Sequence, residues 1–128
     1  MEKTSMNDAY EQGLAIRRQV MGNDFVDQAF AKATDFSRPL QEFITENAWG
    51  SVWCRGILGL KERSLITVAM LTALGRQHEL AGHVRGARNN GATDEEIREV
   101  ILHATVYCGV PLASEAMRTA ENALLTKS

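Results

Sequence analysis

Apolar positions recur at helical spacing almost throughout this chain, and no stretch shows the period-two alternation of a half-buried strand. From the N-terminus, Asn7 or Asp8 is placed to cap a first helix that Gly22-Asn23 ends. A second short helix is predicted over Asp24 to Thr34. Pro39 suits the first turn of a third, where a missing N–H costs nothing, and this helix runs through Phe43 and Ile44 to about Ala48. Between Trp49 and Leu60 lie both tryptophans and three glycines, which predicts an irregular loop with aromatic surface. Lys61 to Leu74 is apolar on nearly every face, the pattern of a central helix packed all round. Gly75 ends it, and a helix from about Gln77 to Asn90 follows, with Gly91 in the left-handed position beyond its end.

Thr93-Asp94-Glu95-Glu96 then reads as a capping box, in which the Thr hydroxyl and the Glu96 carboxylate satisfy reciprocal backbone donors. The helix it opens carries Ile97, Val100, Ile101, Ala104 and Cys108 on one stripe. Gly109-Val110-Pro111 stops that helix and starts the last, whose apolar face of Leu112, Ala113, Ala116, Met117, Ala120, Ala123 and Leu124 is small enough for close helix approach. The expected fold is all-α, a compact bundle of six to seven short helices forming one domain over residues 1–128. Short helices bury limited surface per chain, so association into a homo-oligomer is also expected.

Composition narrows the function classes. A net charge of -2 with no basic block gives no electrostatic case for nucleic acid. The longest strongly apolar run, Leu65 to Leu74, is far short of the roughly 20 residues that span a bilayer. The polar start Met1-Glu2-Lys3-Thr4-Ser5 has no signal core, so a cytoplasmic protein is expected. Cys54 and Cys108 belong to no paired spacing, which argues against a disulfide framework or a thiolate metal site and predicts two small buried apolar residues. No glycine-rich nucleotide loop and no nucleophile elbow is present.

The chemistry concentrates in the helix after Gly75. Arg76, Glu79 and His83 lie at i,i+3 and i,i+4 spacing, so a guanidinium, a carboxylate and an imidazole share one stripe beside that of Leu80, Val84 and Ala87. Two readings stand side by side: a solvated row of ion pairs, or an acid/base site in which a carboxylate tunes the imidazole and the arginine clamps an anion. Spacing alone does not choose between them. Glu46, Trp49, Trp53 and Arg55 flank the predicted loop, and Arg63 stands near the start of the most apolar helix, where an arginine commonly snorkels. His103 is expected at a core edge, His78 in solvent, and Asn89-Asn90-Gly91 in helix termination.

Several linked motifs in order carry a family resemblance over roughly Phe43 to Ala123. They are Glu46-Asn47-Ala48-Trp49-Gly50-x-Val52-Trp53-x-Arg55, Leu60-Lys61-Glu62-Arg63-Ser64-Leu65-Ile66-Thr67, and Ala73-Leu74-Gly75-Arg76-x-x-Glu79-Leu80-x-x-His83-x-x-x-Ala87-x-x-x-Gly91-x-Thr93-x-Glu95-Glu96-Ile97-Arg98-Glu99-Val100, closed by Val106-Tyr107-x-Gly109-x-Pro111. Together they resemble the carboxymuconolactone decarboxylase family, part of the alkylhydroperoxidase D-like superfamily of all-helical trimers and hexamers. The superfamily's redox branch carries Cys-x-x-Cys-x-x-x-His; here Arg76 and Glu79 stand at the cysteine positions and His83 at the histidine. Without those thiols the resemblance implies the decarboxylase branch rather than peroxide chemistry.

What the resemblance implies is decarboxylation of γ-carboxymuconolactone to 3-oxoadipate enol-lactone, a step of protocatechuate catabolism that needs neither cofactor nor metal. On that reading His83 donates a proton, Glu79 orients it or raises its pKa, and Glu46 is a second proton-transfer candidate. Arg55, Arg63, Arg76 and Arg85 are candidates for the carboxylate clamp, and Trp49 and Trp53 wall the pocket. The alternatives are a thiol-dependent redox protein, a related lactone- or β-keto acid-processing enzyme, and a non-enzymatic assembly module.

Overall fold

A computed structural model of the chain describes residues 6–126, with side chains from Asp8 onward. Among the described residues the fold is all-α: α1 (Met6–Met21), α2 (Asn23–Lys32), α3 (Arg38–Phe43), a π-helix, π1 (Ile44–Trp53), then α4 (Leu60–Leu74), α5 (Gln77–Asn89), α6 (Asp94–Cys108) and α7 (Val110–Leu125). Contacts divide the chain into two compact units, Met1–Leu58 and Gly59–Ser128.

In the first unit α1 packs along π1. Asn7 and Asp8 lie inside α1 rather than capping it, and Asp8 places its charge in the first turn, where the helix dipole is positive. The side chain of Asn7 and the segment Met1 to Ser5 lie outside the described residues. Gly13 and Gly50 mark where the two helices approach backbone to backbone. A Cβ added at Gly13 would lie 2.6 Å from Gly50 N and 2.9 Å from Gly50 Cα, so only a residue without a side chain fits there. Gly22 turns the chain at φ 94° between α1 and α2, and Arg18 then pairs with Asp27 at 2.9 Å.

The loop predicted from Trp49 to Leu60 is a correction. Residues 49–53 complete π1, and only residues 54–59 are irregular. A π-helix spaces its backbone hydrogen bonds one residue wider than an α-helix and is held only where its surroundings support it. Side chains supply part of that support by donating to carbonyls along the segment: Asn47 Nδ2 to Phe43 O at 3.0 Å, Ser51 Oγ to Glu46 O at 3.3 Å and Cys54 Sγ to Gly50 O at 2.6 Å. Trp49 and Trp53 stack with centroids 4.5 Å apart. Glycine and tryptophan, which read as loop composition, here serve close approach and stacking. Cys54 is exposed and Cys108 half-buried, so neither is the fully buried residue expected.

The second unit is built around a core of Val68, Leu80, Val84, Ile97 and Ile101, closed by Ala113, Ala116, Ala120 and Ala123 of α7. The alanine face lets α7 lie close to α5 and α6, as its sequence predicts. Both bonds of the Thr93/Glu96 box form, at 3.0 and 2.9 Å. Arg88 grips both carboxylate oxygens of Asp94 at 2.9 and 3.0 Å and donates to Leu124 O at 3.2 Å, which ties the ends of α5 and α7 to the start of α6. Asn90 Nδ2 donates to Ser64 Oγ at 3.0 Å, so the helix-terminating asparagine also anchors α5 to α4. Two expectations change. Helix α4 is not packed all round, since Ile66, Met70 and Leu74 are exposed, and His103 is exposed beside Tyr107 rather than at a core edge.

Gly13→Ala is expected to destabilise the protein by about 1–3 kcal/mol, the usual cost of overpacking. Gly56→Ala, where an added Cβ meets nothing within 4 Å, serves as the control and is expected within about 0.5 kcal/mol of wild type in urea unfolding.

Candidate active site

Gly75 ends α4 with a left-handed residue at φ 72°, and Arg76 follows as the N-cap of α5. The charged row of α5 therefore begins at a helix start, where unbonded backbone N–H groups favour negative charge. Glu79 sits in this first turn and meets Arg76 through two contacts, Nη2 to Oε2 and Nε to Oε1, each 3.4 Å. Its own backbone N–H and then the Arg76 guanidinium hold the Glu79 carboxyl below the usual carboxylate range. Both side chains are largely exposed, at 63% and 44%, so the pair is worth little to stability and remains available to solutes.

His83 lies one turn further along α5, on the same side as Glu79. It is half-buried, and burial pushes its pKa from 6.5 down to about 4, with the nearby Glu79 charge acting in the opposite direction. Burial outweighs the carboxylate, so the resting imidazole is neutral near pH 7. The neighbouring stripe of the helix explains this position: Leu80, Val84 and Ala87 are fully buried, and the 3.6-residue period sets His83 beside Leu80 and Ala87 at the edge of that core. Arg63 on α4 and Arg85 on α5 are half-buried.

In the first unit π1 carries Glu46, half-buried, with Trp49 buried at 6% and Trp53 half-buried. Arg55 is exposed in the turn that follows. Thus Arg76 is brought to Glu79, and Trp49 to Trp53. One surface hollow of the second unit, of about 280 Å³, runs between α6 and α7 over Ile97, Ile101, Met117 and Leu124, and none of the candidate residues line it. Among the described residues no three His, Cys, Asp or Glu side chains cluster to hold a metal ion, and no helix is long and apolar enough to cross a membrane.

Sequence reasoning passed over Arg17. Its side chain is 4% exposed, donates from Nη1 to Thr45 Oγ1 at 3.1 Å, and holds Cζ 5.7 Å from the centre of the Phe30 ring. A signal was present: Gly13, Arg17 and Val20 lie at i, i+4 and i+7, which puts the arginine on the buried face of α1.

The depressed pKa of His83 has a consequence for stability. Between about pH 6.5 and about pH 4 the unfolded chain binds the imidazole proton and the folded chain does not, so stability falls as pH drops through this window, by up to about 3 kcal/mol. His83→Gln is expected to lose this part of the acid sensitivity. Urea unfolding across the window checks it, and parallel pH profiles for variant and wild type would contradict it.

The comparisons agree with the motif order. The model of the carboxymuconolactone decarboxylase family matches residues 38–122. A 4-carboxymuconolactone decarboxylase of Acinetobacter baylyi is 45% identical over 118 residues, covering 91% of this chain and 88% of that protein. A nitrosuccinic acid decarboxylase of Metarhizium robertsii is 49% identical over 108 residues, 84% of this chain and 76% of that protein. With Arg76, Glu79 and His83 aligned on one helix of an all-α fold, the chain belongs to the carboxymuconolactone decarboxylase family and is a carboxy-lyase.

Proposed function

We propose that this chain decarboxylates γ-carboxymuconolactone to 3-oxoadipate enol-lactone, in the cytoplasm, as a step of protocatechuate catabolism. The observation that carries the reading is the α5 row: an accessible guanidinium–carboxylate pair one turn from a desolvated imidazole. Loss of CO₂ from the ring carbon leaves an electron pair that delocalises through the adjacent C=C into the lactone carbonyl. The resulting dienolate has furan-like aromatic character, so the substrate provides its own electron sink. What remains for the protein is to hold carboxylates, shelter the departing one from water and return a proton to carbon.

Arg76 is the exposed clamp, with Arg63 and Arg85 as further cations of the second unit and Arg55 of the first. His83 is the proton donor. Its resting form is neutral, so the proton enters with substrate: a dianion beside the imidazole offsets the desolvation that keeps it uncharged. The proton then passes from the imidazolium to the dienolate carbon, and the neutral resting form returns. Glu79, held ionised by Arg76, orients the imidazole. Glu46 is the second candidate donor, with Trp49 and Trp53 as apolar walls. A second reading takes nitrosuccinic acid as substrate, because the Metarhizium relative bears that name. There the nitro group accepts the electron pair.

Assay of both acids in deuterated water, following CO₂ and deuterium at the new C–H bond, separates the two substrates; acceleration of neither would overturn the decarboxylase assignment of this site. If His83 is the donor, kcat/KM rises as pH falls from about 8 to about 5, because the free enzyme holds the imidazole neutral. His83→Gln is expected to flatten that slope and lower kcat by about 100-fold or more. Exposed Ile66, Met70 and Leu74 on α4, with Leu102 and Val106 on α6, support association into a trimer or hexamer. Light scattering is expected to give three or six times the 14.1 kDa chain mass, and a monomer would refute it.

A further inference from the structure

The first unit contains a buried cation that the proposed chemistry does not use. Arg17 is 4% exposed, and no described residue pairs it with a carboxylate. Burial pushes its pKa below the ordinary arginine value. For stability alone, an apolar side chain of similar volume would serve α1 as well or better, since a buried charge without a counter-ion is costly. The best-attested use of such a retained polar group is to set register.

Its partners lie where register is decided. Thr45, fully buried, accepts from Arg17 Nη1 at 3.1 Å and donates its own hydroxyl to Gln41 O at 2.7 Å. This relay crosses the junction at which α3 ends at Phe43 and π1 begins at Ile44, where backbone bonding widens from i,i+4 to i,i+5. Glu46 is the next residue, and Trp49 follows within one turn of π1. A shift of one residue in this first turn would rotate both to another face. The Phe30 ring of α2 and the contact of Gly13 with π1 brace the arginine and its helix.

We propose that Arg17 is a positioning residue for decarboxylation: its guanidinium, acting through Thr45 Oγ1, holds the first turn of π1 in register and thereby sets Glu46 and the Trp49–Trp53 stack. The part of this that concerns turnover rests on the reading that Glu46 and the tryptophans serve the reaction. The part that concerns register does not.

The test is a double-mutant cycle between Arg17→Lys and Thr45→Val, read by kcat, KM and near-ultraviolet circular dichroism of the stacked tryptophans. Each single variant is expected to keep its far-ultraviolet helix signal, weaken the tryptophan signal and lower kcat by about tenfold or more, with KM within about threefold. The double variant is expected to be no worse than the poorer single one, and Thr45→Ser, which retains the hydroxyl, is expected to restore both readouts. Wild-type kcat and an unchanged tryptophan signal in Thr45→Val would overturn the proposal, as would losses that multiply in the double variant. A rise confined to KM in Arg17→Lys would also overturn it, because it would make the arginine a substrate ligand. Where Arg17→Lys does not fold, the comparison of Thr45→Val with Thr45→Ser decides. If the wild-type protein turns over neither acid, the functional reading fails, while the dichroism still tests the register.

Discussion

Helix α5 must bury Leu80, Val84 and Ala87 in the core of the second unit, and most of what is chemically distinctive about that unit follows from this burial. A helix that turns once every 3.6 residues has no freedom to place its other side chains independently. Once that apolar stripe is seated, Arg76 and Glu79 stand at the helix start in solvent, and His83 falls at the margin of the core. The same burial lowers the affinity of the imidazole for a proton, so packing and acid–base behaviour have one cause. The alanine face of α7 and the Arg88 links to Asp94 and Leu124 keep that seat from shifting.

The first unit solves a different problem. A π-helix is rare because its wider backbone leaves hydrogen bonds and packing less well satisfied than an α-helix does. Here side-chain donors return hydrogen bonds to its carbonyls, a tryptophan pair stacks along it, and paired glycines let α1 come close enough to support it. Arg17 is the one buried cation among the described residues, and its hydrogen bond to Thr45 lies where the α-type ladder gives way to the π-type. π-Helical segments concentrate at functional sites. This one carries Glu46, Trp49 and Trp53, the residues that the family motif singles out around position 50.

Elements governed by local rules are legible in the chain order. The Thr93/Glu96 capping box, the glycine stop at Gly75 and the small face of α7 are each decided by a few neighbouring residues, and each forms as read. The stretch from Trp49 to Trp53 has the composition of a loop when its glycine and tryptophans are judged without partners. Its helical form depends on α1, some 40 positions earlier. The burial of Arg17 is hidden for a related reason: an arginine is ordinarily exposed, and only a distant acceptor, here Thr45, makes its burial tolerable. Arg76, Glu79 and His83 were legible as a row from spacing alone, while the protonation of His83 was not.

By itself, then, the sequence determined the all-helical class, most helix ends, the motif order that shows the family and the absence of the redox thiol pair from α5. These depend on residue type and short-range spacing, which the chain carries without folding. Tertiary structure alone decided that the segment around Gly50 is a π-helix, that α4 leaves an apolar stripe in solvent, that Arg17 is buried and that His83 rests neutral. Each of these depends on how much water and which partners surround a group, and that is known only when residues far apart in the chain have come together.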